Sequence, residues 1–168
     1  MTTVTLHGNE VNLEGTLPEI GSTAPDFELV DRDLNVATLG TFGDARKLLS
    51  ILPSIDTPVC AKSSVQFNQE AQKIDDKSVV LVISSDLPFA MTRFCADQGA
   101  DRLVTLSMMR NRDFARDYGV LIAEGPLTGI TARAVVVLDS NNQVLYTELV
   151  PEIGDEPNYA EAMAALQG

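Results

Sequence analysis

The stretch KLLSILPSIDTPVCAKSSVQFNQEAQKIDDKSVVLVIS, Lys47 to Ser84, sets two apolar runs on either side of a segment in which the hydrophobic residues change period. The first run, Lys47 to Pro53, reads as a buried strand, and the last, Ser78 to Ser84, is apolar on both faces, as a strand covered from both sides must be. Between them Cys60, Ser64, Phe67, Ala71 and Ile74 recur at helical spacing, so the spacing predicts a helix from Pro58 that fades near Asp75. Outward from this unit the alternation continues. A helix is expected over Pro88 to Gln98, then a strand in RLVTLS and a short helix near Arg112 to Tyr118. The strand ARAVVVLD then turns through Ser140-Asn141-Asn142 into Gln143 to Val150, and Asn158 to Leu166 makes a last helix. Strands alternating with helices, followed by a terminal hairpin and helix, predict an α/β sandwich around a central mixed sheet. At the amino terminus TVTLH and EVNLEG flank Gly8-Asn9 and read as a β-hairpin extension over about residues 1–15.

The bulk properties narrow the function classes. With 168 residues, 45% of them hydrophobic, and no apolar run long enough to cross a bilayer, the chain is expected to fold as one globular domain over 1–168. The amino-terminal residues lack a cationic segment followed by an apolar core, so a cytoplasmic location is expected. A formal charge of −12, spread without long acidic blocks, argues against nucleic acid and anionic membrane surfaces as partners.

The chain has only two cysteines, Cys60 and Cys95, and one histidine, His7. Thr57 followed by Pro58 is a helix-start signature, with Thr as N-cap and Pro at the first helical position, where its missing N–H is not needed. Cys60 is then the third helical residue, where unpaired N–H groups and the positive end of the helix dipole favour an anion. A free cysteine is only about 3% thiolate at pH 7, and placement at a helix start is one way in which proteins raise that fraction. The Thr57 hydroxyl could also donate to the sulfur or to a ligand oxygen. On the residues alone Cys60 is equally well a small buried core residue. A histidine base is missing, because His7 falls in the amino-terminal hairpin, and a cysteine hydrolase is disfavoured accordingly. Two distant cysteines and one histidine do not make a zinc set, there is no CxxC pair and no Gly-rich phosphate loop, so neither metal nor cofactor is expected. What remains is attack on an oxygen or sulfur that carries a good leaving group.

The motif PSIDTPVC, with Pro53, Thr57 and Cys60 at their spacing, resembles the peroxiredoxin pattern. GSTAPDFEL is similar to the opening segment of that family, DLPFAMTRFC to the helix bearing the second cysteine of bacterial thiol peroxidases, and ARAVVVLD to the strand preceded by their active-site arginine. The hairpin and the ending YTELVPEIGDEPNY extend the resemblance to this atypical two-cysteine subgroup over nearly the whole chain. Pro58 stands where Gly is frequent, and Met108-Met109 differ from relatives, which could alter a substrate pocket. The resemblance implies a thioredoxin-like sandwich and a peroxidase acting on hydrogen peroxide and organic hydroperoxides. It makes Cys60 the nucleophile and Arg133 the group that stabilises thiolate and peroxide. Thr57 orients the peroxide, and Pro53 shapes the loop and shields the sulfur. Arg110 is a further cation near that pocket. The residues around Cys95 alone suggest a buried structural thiol, since Met91, Phe94 and Cys95 form one apolar face, whereas the resemblance makes Cys95 the resolving thiol. A thioredoxin-like reductant and a homodimer are implied with it. A non-enzymatic redox sensor that passes oxidation to a partner protein is the alternative use of the same thiol.

Overall fold

The structure, a computed structural model, describes residues 2–168; Met1, within the expected hairpin, lies outside them. In chain order the elements are β1 (Thr2–Leu6), β2 (Asn9–Glu14), β3 (Leu29–Val30), β4 (Val36–Ala37), β5 (Arg46–Ile51), α1 (Pro58–Ala71), β6 (Ser78–Ser84) and α2 (Pro88–Gln98). They continue with β7 (Leu103–Ser107), α3 (Asp113–Asp117), β8 (Leu121–Ile122), β9 (Ala134–Leu138), β10 (Val144–Leu149) and α4 (Tyr159–Gln167). A 3₁₀ turn over Leu39–Phe42 leads into β5.

The central sheet runs β10-β9-β5-β6-β7-β3-β4. β5, β6 and β7 are parallel, while β9 and β10 on one side and β3 on the other are antiparallel, so the sheet is mixed as expected. The strand alternation decides what covers each face. Leu49, Ile51, Leu81, Ile83, Val136 and Leu138 point to one side, where Phe27, Phe114 and Tyr118 complete the larger core. Leu48, Val80, Val135 and Val137 point to the other, against Phe67 and Ala71 of α1 and Ala162, Met163 and Leu166 of α4. Both faces are therefore dry, which is why the strands read as continuous apolar runs.

The boundaries show local chemistry at work. α2 begins at Pro88 and ends at Gln98, stopped by Gly99, whose left-handed backbone closes a Schellman arrangement: Gly99 N donates to the Ala96 carbonyl and Ala100 N to the Cys95 carbonyl. The buried strand ends at Ile51 and α1 at Ala71, each shorter than the sequence pattern suggested, and Ile74 packs against the core from beyond the helix. The amino-terminal turn is centred on His7-Gly8, not Gly8-Asn9. A two-residue turn whose twist matches the strands needs positive φ at both central positions, and His7 (51°) and Gly8 (81°) supply it. The hairpin also gains a third strand, since Leu13 and Glu14 pair with Ile122 and Leu121 of β8. No helix among the described residues is long and apolar enough to cross a membrane.

Candidate active site

β5 delivers the chain to the site, and a loop, Leu52 to Asp56, buried as far as Ile55 apart from a half-buried Ser54, turns it into α1. Pro53 lies buried in this loop, directly after Leu52, whose N–H still bonds the Ile83 carbonyl. The loop is pinned by a residue the motif does not contain. Asp86, just past β6, accepts from the Ser54 hydroxyl (2.8 Å), the Ile55 N–H (2.7 Å) and the Ser84 hydroxyl (2.6 Å). The Ser107 hydroxyl in turn donates to the Asp86 carbonyl, so the ends of β6 and β7 fix the carboxylate that fixes the loop.

Thr57 is the N-cap of α1 with Pro58 at the first helical position, as the dipeptide predicts. Its hydroxyl, however, makes no capping bond. It donates to the Ser54 carbonyl at 3.0 Å, is exposed, and leaves the first-turn amides without a side-chain acceptor. Cys60 sits in that first turn and is fully buried, in an apolar cluster with Leu52, Ile55, Val82, Met91 and Phe94. Its carbonyl accepts from both Ser63 (3.0 Å) and Ser64 (2.9 Å) hydroxyls one turn on.

Arg133 arrives from the far side, immediately before β9, and its Nη2 donates to Cys60 Sγ at 3.1 Å. Arg133 is 3% exposed as a residue, so cation and sulfur meet where water screens little. Its Nε donates to the Ile153 carbonyl at 3.2 Å, while Nη1 is buried without a partner. An arginine held on two sides with a spare donor can present that N–H to an oxygen brought next to the sulfur.

Cys95 lies in the last turn of α2, half-buried, at the edge of the same apolar cluster that encloses Cys60. Both cysteines are free thiols. Burial pushes the Cys95 thiol up, and the nearby Arg32 pulls it partly back. A cavity of about 420 Å³ opens beside it, lined by residues that include Arg32, Thr92, Cys95 and Asp101.

The structure thus brings Cys60 and Arg133 together, buries Pro53 in the loop that leads to them, and sets Cys95 on the same cluster as Cys60. It does not bring Arg110, which is exposed and donates to the Leu34 carbonyl. Met108 is 2% exposed and packs in the larger core, not in the cluster around the thiol. Asp86 and the Ile153 carbonyl are the residues sequence reasoning missed. The pair Ser84-Asp86, where an apolar strand ends before a Pro-started helix, was a readable signal for the first; a backbone carbonyl gives none. Among the described residues no three His, Cys, Asp or Glu side chains gather as a metal set.

The family model described as Redoxin matches residues 19–163, beginning past the hairpin. A thiol peroxidase of Mycobacterium bovis (strain ATCC BAA-935 / AF2122/97) is 48% identical over 166 residues, 99% of each chain. A crystal structure of a peroxiredoxin-like protein from Aquifex aeolicus superposes with a TM-score of 0.91 at 41% identity, covering 98% of this chain and 95% of the other. A thiol peroxidase from Chromobacterium violaceum superposes with a TM-score of 0.88 at 30% identity, again with 98% and 95% coverage. The match of the family model to most of the chain, together with a near full-length relative of this identity, shows that the chain belongs to the redoxin family, in its thiol peroxidase branch.

Proposed function

We propose that the protein reduces hydrogen peroxide and organic hydroperoxides in a two-thiol cycle. The observation that carries this reading is the 3.1 Å bond from Arg133 to the buried Cys60 sulfur, with the second guanidinium nitrogen left without a partner beside it. In the first step the Cys60 thiolate attacks the terminal oxygen of ROOH. The S–O bond forms as the O–O bond breaks, and RO⁻ leaves to be protonated as ROH. Negative charge moves from sulfur to the leaving oxygen, and a donor already oriented and dry follows that charge at little reorganisation cost. Arg133 Nη2 holds the thiolate, and Nη1 is free for the peroxide oxygen. The Thr57 hydroxyl oxygen, while donating to Ser54, keeps lone pairs that can accept the peroxide O–H.

In the second step the Cys95 sulfur attacks the sulfenic sulfur of Cys60, an S–S bond forms and water leaves. In the third a thioredoxin-like dithiol reduces that disulfide by two electrons through a mixed disulfide. Such a short-lived disulfide suits the cytoplasm, the location proposed here, and a homodimer is the proposed assembly, which sedimentation analysis tests. Mass analysis of protein treated with one equivalent of hydroperoxide tests the cycle. A Cys60–Cys95 linked peptide pair and steady consumption with a thioredoxin system are expected. Retained consumption in Cys60→Ser sinks the reading, and a single oxidation that then stalls points to a redox sensor.

A further inference from the structure

The amino-terminal hairpin stands apart from the central sheet, yet its contacts converge on the segment that holds Arg133. Residues 151–153 are bound to β1 in register: Thr5 N donates to the Pro151 carbonyl (2.7 Å) and Ile153 N donates to the Thr5 carbonyl (2.8 Å). Between them the Glu152 carboxylate accepts the Thr5 hydroxyl at 2.6 Å, the His7 N–H at 2.9 Å, the Gly8 N–H at 3.2 Å and the Gly154 N–H at 3.3 Å. Two successive left-handed residues, His7 and Gly8, aim their N–H groups at one point, a concavity suited to an anion, and here the anion is the protein's own carboxylate. The next residue, Ile153, packs its side chain with Val4, Val11 and Leu13 of the hairpin and gives its carbonyl to Arg133 Nε at 3.2 Å. On the other flank β8 pairs with β2, Leu121 bridges Thr131, and Ala132 N donates to the Val120 carbonyl, which steadies the two residues before Arg133.

We propose that the hairpin is a bracket for Arg133, and that Glu152 is a positioning residue for the peroxide reaction, acting through the Ile153 carbonyl. Nothing else in the hairpin requires a carboxylate that takes four donors at once. An arginine reaching a sulfur over a long side chain has many rotamers of similar energy, and one carbonyl at Nε selects the rotamer that places Nη2 on Cys60. The carboxylate is held to about 2, first by the Thr5 hydroxyl and then by the His7 amide, so the bracket stays charged across the working pH range.

This inference rests on the reading that Arg133 activates Cys60, and the test separates the two. Consumption of one equivalent of hydrogen peroxide is followed across pH in wild type, Arg133→Met, Glu152→Ala, Glu152→Gln and Asn12→Ala. Asn12 bonds Glu124 elsewhere on the hairpin and reports general loosening. Glu152→Ala is expected to slow the reaction at neutral pH by about tenfold or more, with the pH–rate profile displaced upward. Glu152→Gln, which keeps an acceptor oxygen, is expected to recover part of the rate, and Asn12→Ala to react as wild type. A folded Glu152→Ala reacting within about twofold of wild type overturns the proposal, as does equal slowing in Asn12→Ala. If Glu152→Ala does not fold, Thr5→Val, which deletes one hydroxyl and its bonds to Glu152 and the Pro151 carbonyl, decides by the same profile: slowing of about threefold supports the bracket and none refutes it. An Arg133→Met protein that keeps the wild-type rate would instead sink the functional reading beneath it.

Discussion

Replacement of Asp86 by Ala probes how the nucleophile is kept both buried and reachable. The carboxylate touches neither cysteine, but it takes the Ser54 hydroxyl, the Ile55 N–H and the Ser84 hydroxyl, all within 2.6 to 2.8 Å. Ile55 is fully buried, so without Asp86 its amide is stranded in an apolar cluster, at a cost of about 1–3 kcal/mol. Ser84 retains the Asp86 backbone N–H as a partner, and Ser54 is only half-buried, so these two add less. A total near 3 kcal/mol follows, which for a chain of this size lowers Tm by about 6–12 °C. Because the loss falls on the loop before α1, it also raises the population of molecules in which that loop is open. At 1.4 kcal/mol per factor of ten, 3 kcal/mol increases it about a hundredfold.

The assay is alkylation of Cys60 by a neutral reagent in a Cys95→Ser background, beside thermal melting. Alkylation of a fully buried thiol proceeds through the open form, so its rate should rise by up to that factor. Asp86→Asn keeps one acceptor oxygen but turns an NH₂ toward donors, and should fall between wild type and Ala. A normal Tm would show that the three bonds carry no net energy. A lowered Tm with unchanged alkylation would show that the loop is not the route to the sulfur, and the reasoning would fail at that step.

Three further outcomes follow from the site's chemistry. Arg133→Met removes a charge-assisted bond of about 1.5–3 kcal/mol, and single-turnover peroxide consumption at pH 7 should slow by about ten- to a hundredfold; an unchanged rate would assign the activation to the helix start alone. Burial pushes the Cys95 thiol up with Arg32 opposing, so in Cys60→Ser its alkylation at neutral pH should be slower than that of a free cysteine, and slower still with Arg32→Gln. Rates above the free thiol would contradict both. Glu152, held to about 2 against an ordinary 4.5, contributes stability fully above about pH 4.5 and loses it as pH falls toward 2, so Glu152→Gln should flatten the acid limb of Tm against pH.

The parts of the fold legible in the sequence are those in which local preference and burial agree. α2 is delimited as read, Pro88 to Gln98, because a Pro start and a Gly stop are backbone facts independent of the rest of the chain. β3 and β8, two residues each, had no sequence signature, since each is too short to show a period and is tied into its sheet by a partner more than seventy positions away. Thr57 was placed correctly as N-cap, yet its hydroxyl turned to Ser54, because the loop carbonyl competes with the first-turn amides for the same group. At the site, Cys60 stood out by its place in a helix, whereas Arg133 was legible only through its resemblance to a family. A strand-flanking arginine carries no local mark of where its guanidinium will go, and the Ile153 carbonyl that aims it is set by a hairpin at the other end of the chain.

The positions of the two thiols within their helices bear on how they can meet on the proposed cycle. Cys60 is in the first turn of α1 and Cys95 in the last turn of α2, so each lies where a helix frays first. The two sides of Cys60 are not equally held. Upstream, Asp86 pins Ser54 and Ile55, while from Asp56 onward the turn is held by the Asp56 and Thr57 bonds to Ser54, by Arg133 on the Cys60 sulfur, and by an exposed Asp56 to Arg93 pair at 3.5 Å. A surface pair of this kind is worth about 0–1 kcal/mol. Downstream, Ser63 and Ser64 both hold the Cys60 carbonyl, so movement must release two buried hydroxyls together. Opening is therefore confined to a short stretch between Ile55 and Ser63, with Cys60 near its middle. Oxidation adds the missing bias: a neutral sulfenic acid no longer attracts the guanidinium as a thiolate does, so the strongest restraint on the turn weakens only after peroxide has reacted.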